Sequence, residues 1–249
     1  MSSYISPKWL CYTAKKVSGG GGKKKLVCYY TNWSQYRPAV GQFTPEDIPP
    51  HLCTHVLFAF GWMKKHKVAA FEPTDETKQG KKGLYERVID LKKKNPELKI
   101  LLAVGGWSFG TQRFKEMAAS RYNRQLFIFS ALTYLRKRNF DGLDLDWEFP
   151  RGNDDKRNFV ALLKELREAF EEESKETRKP KLLLTVAVSA GVEAVQTGYD
   201  VPAVSATTDL SSYTNRATES LYLVPPNEWW VGEEEVNIDS TTQHRLPHI

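Results

Sequence analysis

The sequence predicts an α/β fold in which a parallel sheet curls into a βα barrel, and three observations carry that expectation. Five short apolar runs rich in Val, Leu, Ile and aromatic residues recur at intervals of about 40 residues. Helical spacing of apolar residues lies between several of them. The polar and aromatic residues gather at the C-terminal ends of the runs, as in a barrel, and the first run is not followed by a nucleotide-binding glycine fingerprint.

The strands are expected, in order, at LVCYYTNW (26–33), THVLFAFGWM (54–63), KILLAVGGW (99–107), GLDLDWEF (142–149) and LLLTVAVSAG (182–191). Helices are expected at GLYERVIDLKKKNP, YNRQLFIFSALTYLRKRN and DKRNFVALLKELREAFEEESKE. Asn95-Pro96 stops the first, and Asp154 or Asp155 caps the last. Nearly continuous apolar strands joined by crossover helices imply a parallel sheet covered on both faces. The segment YYTNWSQYRP, after the first strand, contains no glycine, which argues against a doubly wound nucleotide binder. VGGWSFG lacks the GxGxxG spacing, so Gly105 and Gly106 are read as points of close backbone approach.

Length and composition bound the function. The 249 residues suffice for one large α/β domain, and 41% hydrophobic with 27% charged residues is ordinary for a globular protein. The net charge of +6 is spread over runs such as Lys23–Lys25, Lys64-Lys65, Lys81-Lys82 and Lys92–Lys94, which read as solvated turns and helix faces rather than a nucleic-acid surface. No stretch has the roughly 18 apolar residues of a membrane span, and the first residues lack the apolar centre of a signal peptide. Gly19–Gly22 followed by lysines reads as a linker, so residues 1–24 are expected to be a flexible leader. Three cysteines, Cys11, Cys28 and Cys53, fit reduced thiols unless another feature argues for secretion. Five histidines, none in an HExxH or Cys-His array, suggest no metal site and no cofactor.

The stretch DGLDLDWEFP (141–150) carries the chemistry. Alternation in an extended chain puts Asp144, Asp146 and Glu148 on one face and Leu143, Leu145 and Trp147 on the other, with neighbouring acids about 7 Å apart along the strand. Desolvated carboxyl groups so close cannot all ionise cheaply, so shared protons and a raised pKa are expected. No Lys or Arg occurs at the same parity in the strand to pair them. Asp141 is out of phase and is read as structural. A DxD metal site at Asp144 and Asp146 is a weaker alternative.

DGLDLDWEFP resembles the DxxDxDxE signature of family 18 glycoside hydrolases, the chitinases, with Asp141, Asp144, Asp146 and Glu148 at the four fixed positions. LLAVGGWSFG is similar to the family's third-strand SxGG segment with Ala103 in place of the serine, and the first two strand segments are similar to those of animal, especially arthropod, members. The likeness runs from about Lys25 to Val204. It implies a retaining, substrate-assisted mechanism on chitin or chito-oligosaccharides, with no obligate protein partner. In that mechanism Glu148 is general acid and base, Asp146 steers the 2-acetamido group, and Asp144 shares a proton with Asp146. Tyr29, Phe60, Gly106 and Trp107 would then line the sugar. The resemblance also implies a Cys28–Cys53 disulfide, and with it an oxidising, extracellular setting. The sequon Asn32-Trp33-Ser34 is discounted because it lies at a strand end beside the presumed cleft.

After YDVPAVS the likeness fades. The family's Met-x-Tyr-Asp sixth strand and its later strands are absent from the polar, turn-rich tail. The expectation is therefore an incomplete (β/α)8 barrel: a leader (1–24), about five parallel βα units (25–205) and an irregular tail (206–249). Two function classes stay open, a chitinase and a non-catalytic chitin-binding or inactive truncated relative, and retention of Glu148 favours descent from an active enzyme.

Overall fold

A computed structural model describes residues 10–14, 25–215 and 220–224. Its strands are β1 (Leu10–Ala14), β2 (Lys25–Thr31), β3 (His55–Lys64), β4 (Lys67–Ala70), β5 (Lys99–Gly105), β6 (Gly142–Asp146), β7 (Leu183–Ser189), β8 (Leu210–Asn215) and β9 (Ser220–Val224). The sheet runs β1-β2-β3-β5-β6-β7-β8-β9, and β4 folds back on β3 as a hairpin. Strands β2, β3, β5, β6, β7 and β8 run parallel to one another, whereas β1 and β9 lie antiparallel on the two flanks. The sheet curls until these outer strands approach one another. The five expected strands are β2, β3, β5, β6 and β7, in the expected order and direction.

The helices are α1 (Leu84–Ile89), α2 (Thr111–Ala118), α3 (Arg121–Lys137), α4 (Gly152–Thr177), α5 (Val192–Gly198) and α6 (Val201–Thr207). The first expected helix is short: α1 tightens into a 3-10 turn over Asp90–Lys93 ahead of Pro96. Asp155 acts within the first turn of α4, accepting the backbone N–H of Arg151, rather than as the capping residue itself. Arg178, at φ 57°, ends that helix.

The strands are largely apolar on both faces because both are buried, with the inward acids of β6 and Thr185 of β7 as exceptions. Outward residues such as Cys28, Tyr30, Phe58, Ile100, Leu102, Leu143, Leu145, Trp147, Leu184 and Val186 pack under the helices, while Val27, Tyr29, Leu57, Ala59, Leu101, Ala103 and Leu210 fill the barrel interior. A period-two strand with both sides covered reads as an unbroken hydrophobic run, which is why these five were visible in the sequence.

Two expectations need correction. The leader contains strand β1, whose backbone pairs with β2. The tail is not irregular throughout: α6 leads into β8, a sixth parallel strand, and β9 follows. Hydrophobicity does not announce β8, since LSSYTN places one aliphatic residue, Leu210, in the barrel interior. It is docked instead through Asp209, which accepts the N–H of Leu184, donates its own N–H to the carbonyl of Leu184 and pairs with Arg167. Residues 1–9, 15–24, 216–219 and 225–249 lie outside the described part.

Candidate active site

Strand β6 brings the acids into the barrel. Asp144 is fully buried, with Ala103 of β5 and Thr185 of β7 in register on either side; Asp146 lies between Gly105 and Ala187 in the same way. Small neighbours leave room for carboxylates where a barrel normally packs branched side chains. Tyr29 donates its hydroxyl to Oδ2 of Asp144 at 2.7 Å, and Thr185 donates to Oδ1 at 2.5 Å. Burial pushes the Asp144 carboxyl up to about 6, although the Thr185 and Tyr29 hydroxyls pull the other way.

Asp146 is buried and hydrogen-bonded to half-buried Glu148. Its pKa is driven well above the ordinary carboxylate range, first by burial and then by the charges of Glu148 and Asp144. The Oδ1 atom of Asp146 has no hydrogen-bond partner among the described residues. Neither Asp144 nor Asp146 forms an ion pair there. A hydrogen bond along the face thus links Asp146 to Glu148, while Asp144 is held by hydroxyl groups.

Asp141 behaves differently. It pairs with Lys92 at 2.7 Å and accepts the N–H of Ile100, tying the starts of β5 and β6 together. This is the structural part expected of the out-of-phase acid.

The glycines after β5 set the end of β6. At Gly105, φ 128°, a Cβ would come within 1.9 Å of the Asp146 carbonyl; Gly106, φ 85°, donates its N–H to that same carbonyl at 2.9 Å. A Cβ at Gly106 would also strike the Phe60 ring at 2.8 Å. Gly106 therefore gives Phe60 its position. The rings of Phe60 and Trp33 stack, with centroids 6.1 Å apart, and Trp107 is 53% exposed just beyond Gly106. Together they form an aromatic rim at the C-terminal ends of β2, β3 and β5, next to the acidic face.

Sequence reasoning passed over three residues here. Thr185 is the one polar side chain in the run LLLTVAV, and that isolation was its signal. Trp33 follows the first strand end by two residues. Tyr199, buried against Phe159, accepts the N–H of Ser189, and its hydroxyl pKa is raised by burial and by the charges of Asp146 and Glu148. Asn32 of the sequon is fully buried and donates to Asp75, which leaves it no access to a glycan. Cys28 and Cys53 form the disulfide that the resemblance implied, with Cα atoms 6.1 Å apart. No helix among the described residues is long and apolar enough to cross a membrane.

Comparison with known proteins places this geometry. The chain is 50% identical over 193 residues to chitotriosidase-1 of Mus musculus, covering 76% of this chain and 40% of that protein. It is 51% identical over 177 residues to a probable endochitinase of Caenorhabditis elegans, covering 70% and 29%. Among solved structures, an immunomodulatory active chitinase from Trichuris suis superposes with a TM-score of 0.72 at 42% identity, covering 76% of this chain and 50% of that one. Human YKL-39, described as a pseudo-chitinase with retained chitooligosaccharide binding, superposes with a TM-score of 0.69 at 40% identity, covering 74% and 49%. The chain thus spans half or less of the length of these relatives. Residues 25–231 match the model of the glycosyl hydrolases family 18, and the chain belongs to that family.

Proposed function

We propose that the chain binds β-1,4-linked N-acetylglucosamine oligomers on the aromatic rim and cleaves them by a retaining, substrate-assisted route. The observation that carries this reading is the buried Asp146 carboxyl hydrogen-bonded to Glu148 at the end of β6. Burial and the neighbouring acids raise the carboxyl of Asp146, which is hydrogen-bonded to Glu148, and this favours a proton on the acidic face, where a general acid needs one. Glu148 protonates the glycosidic oxygen. The 2-acetamido oxygen attacks the anomeric carbon, the C–O bond to the leaving sugar breaks, and a cyclic oxazolinium forms. Asp146 turns its unpartnered Oδ1 to the acetamido N–H and stabilises the positive charge. Glu148 then takes a proton from water, which opens the ring with net retention. Trp33, Phe60 and Trp107 offer flat apolar faces to the CH faces of the pyranoses. The buried Cys28–Cys53 bridge supports an oxidising, extracellular location.

A second reading, binding without turnover, draws on the barrel wall, in which six parallel strands are seen among the described residues. Misplacing reacting groups by about 1 Å costs roughly two orders of magnitude in rate, so on this reading binding is retained while hydrolysis is weak. A fluorogenic chito-oligosaccharide assay alongside calorimetric titration with the tetrasaccharide separates the readings. Residual hydrolysis abolished in Glu148→Gln, with binding retained, supports the enzyme. Binding with no hydrolysis in the unaltered chain supports the second reading, and turnover unaffected by Glu148→Gln removes Glu148 from the mechanism.

A further inference from the structure

Glu148 lies between two residues that one hydroxyl group holds. Trp147, 1% exposed, packs outward under the helices, and its indole N–H donates to Oγ1 of Thr111 at 2.7 Å. The same hydroxyl donates to the carbonyl of Phe149 at 3.3 Å. A threonine hydroxyl has one proton to give, and Thr111 gives it to one neighbour of Glu148 while accepting from the other. Thr111 is the first residue of α2, directly after Gly110.

Further contacts fix the same stretch of chain. Phe114 of α2 stacks on the Trp147 ring, with centroids 5.4 Å apart and planes 8° from parallel. Lys115, one residue on, pairs with Asp155, which accepts the N–H of Arg151. At the end of α5, a Cβ on Gly198 would come within 2.3 Å of the Pro150 carbonyl oxygen, so the backbone of α5 lies directly against the loop. The Gly106 N–H holds the Asp146 carbonyl. The backbone is thus gripped on both sides of Glu148, whose side chain reaches the Asp146 carboxyl.

We propose that Thr111 is a positioning residue for Glu148, setting through Trp147 and Phe149 the place at which the Glu148 carboxyl meets Asp146. The proposal rests on the reading of Glu148 as the acid of the mechanism above. Ring stacking on Phe114 fixes the plane of the indole but lets it slide, whereas hydrogen bonds fix distance and direction. Without the hydroxyl, a buried indole N–H and the Phe149 carbonyl both lose their partner, and the end of β6 must shift to find others. A shift of about 1 Å at the reacting groups is enough to cost roughly two orders of magnitude in rate.

Carbon NMR on the full chain, isotope-labelled at its aspartate carboxyl groups, tests the proposal, with the Asp144 and Asp146 signals assigned by Asp144→Asn and Asp146→Asn. Burial raises the Asp146 carboxyl, and the charge and hydrogen bond of Glu148 raise it further. Thr111→Val, which keeps the side-chain shape and removes the hydroxyl, should therefore lower the Asp146 midpoint by about half a unit or more. Asp144, held by Tyr29 and Thr185, should keep its midpoint, and Thr111→Ser should restore that of Asp146. Trp147→Phe removes the indole donor and should move Asp146 in the same direction, which decides the matter if the valine variant does not fold. Where Glu148→Gln abolishes hydrolysis of a fluorogenic chito-oligosaccharide, Thr111→Val should lower kcat about tenfold or more with KM within about twofold, and serine should recover it. An unmoved Asp146, an equal shift of Asp144, a serine variant that behaves as valine, or an unchanged kcat in that assay overturns the proposal. Turnover unaffected by Glu148→Gln defeats instead the reading of Glu148 as the acid, and the titrations alone then judge Thr111.

Discussion

Asp141 and Asp144 stand three residues apart at one strand, yet the first is held by a cation and the second by hydroxyl groups. Asp141 meets Lys92 and a backbone N–H at the bottom of the sheet, where its charge is matched. Asp144 and Asp146 sit inside the barrel with no ion pair among the described residues, and burial raises both. The same contrast separates the outer helices, where Arg124 meets Glu165 and Arg136 meets Glu173, from the interior. A buried carboxyl group with a matched cation serves stability, and one left with neutral donors and another acid has its proton available for chemistry.

The largest effect expected from breaking this contrast is on turnover. In the proposed mechanism Asp146 stabilises the cationic intermediate beside Glu148, so Asp146→Asn should lower kcat by about two to four orders of magnitude. Thermal stability should hold or rise, because a desolvated acid is replaced by a neutral isostere. Steady-state kinetics and a melting curve on one preparation check both; loss of stability with unchanged kcat would make Asp146 structural.

Next in size is a pH effect on folding. Asp144 is pushed up from 3.8 to about 6, so between those values the folded state binds more protons than the unfolded one. Its contribution is fully favourable below about pH 4 and is lost as pH rises through about 6, amounting to about 3 kcal/mol. Asp75, also raised to about 6, and His55, lowered to about 4 by burial, titrate in the same range. The difference between the chain and Asp144→Asn isolates Asp144. Urea midpoints at pH 4 and pH 7.5 should show the gain on acidification shrinking in the variant, and an equal gain in both would deny that Asp144 is raised.

These residues also show what a sequence can and cannot disclose. The acidic face was legible because strand alternation is a local property, so parity alone separated Asp141 from Asp144, Asp146 and Glu148. Four of the five core strands were legible because both their faces are largely apolar, and β6 because its acids alternate with an apolar outer face. Thr185 was not, since its link to Asp144 depends on the register between β6 and β7, which no local pattern records. Strand β8 was missed because backbone pairing and the contacts of Asp209 hold it. Strand β1 sits in a leader whose glycines and lysines masked its short run LCYTA. Hairpin strand β4 and helix α2 are too short for periodicity to show.

A smaller effect belongs to the matched end. Asp141→Ala strands the Lys92 ammonium and the Ile100 N–H, and should cost about 1–3 kcal/mol of stability. Activity per folded molecule should be unchanged, since Asp141 does not share the acidic face. A fall in kcat with normal melting would place Asp141 in the chemistry and erase the distinction between the two ends of β6.

The smallest effect concerns how hydroxyls substitute for a cation. Thr185→Val keeps the shape of the side chain and deletes the donor to Oδ1 of Asp144, leaving the Tyr29 hydroxyl on Oδ2. With one fewer donor to its charged form, the Asp144 carboxyl should titrate higher, and stability at pH 7.5 should fall by about 1 kcal/mol while stability at pH 4, where the group is protonated in both variants, changes less. Thr185→Ser restores the donor and should restore the high-pH stability. If valine and serine behave alike at both pH values, the Thr185 bond contributes nothing to the charge state, and Tyr29 alone sets the difference between Asp144 and Asp141.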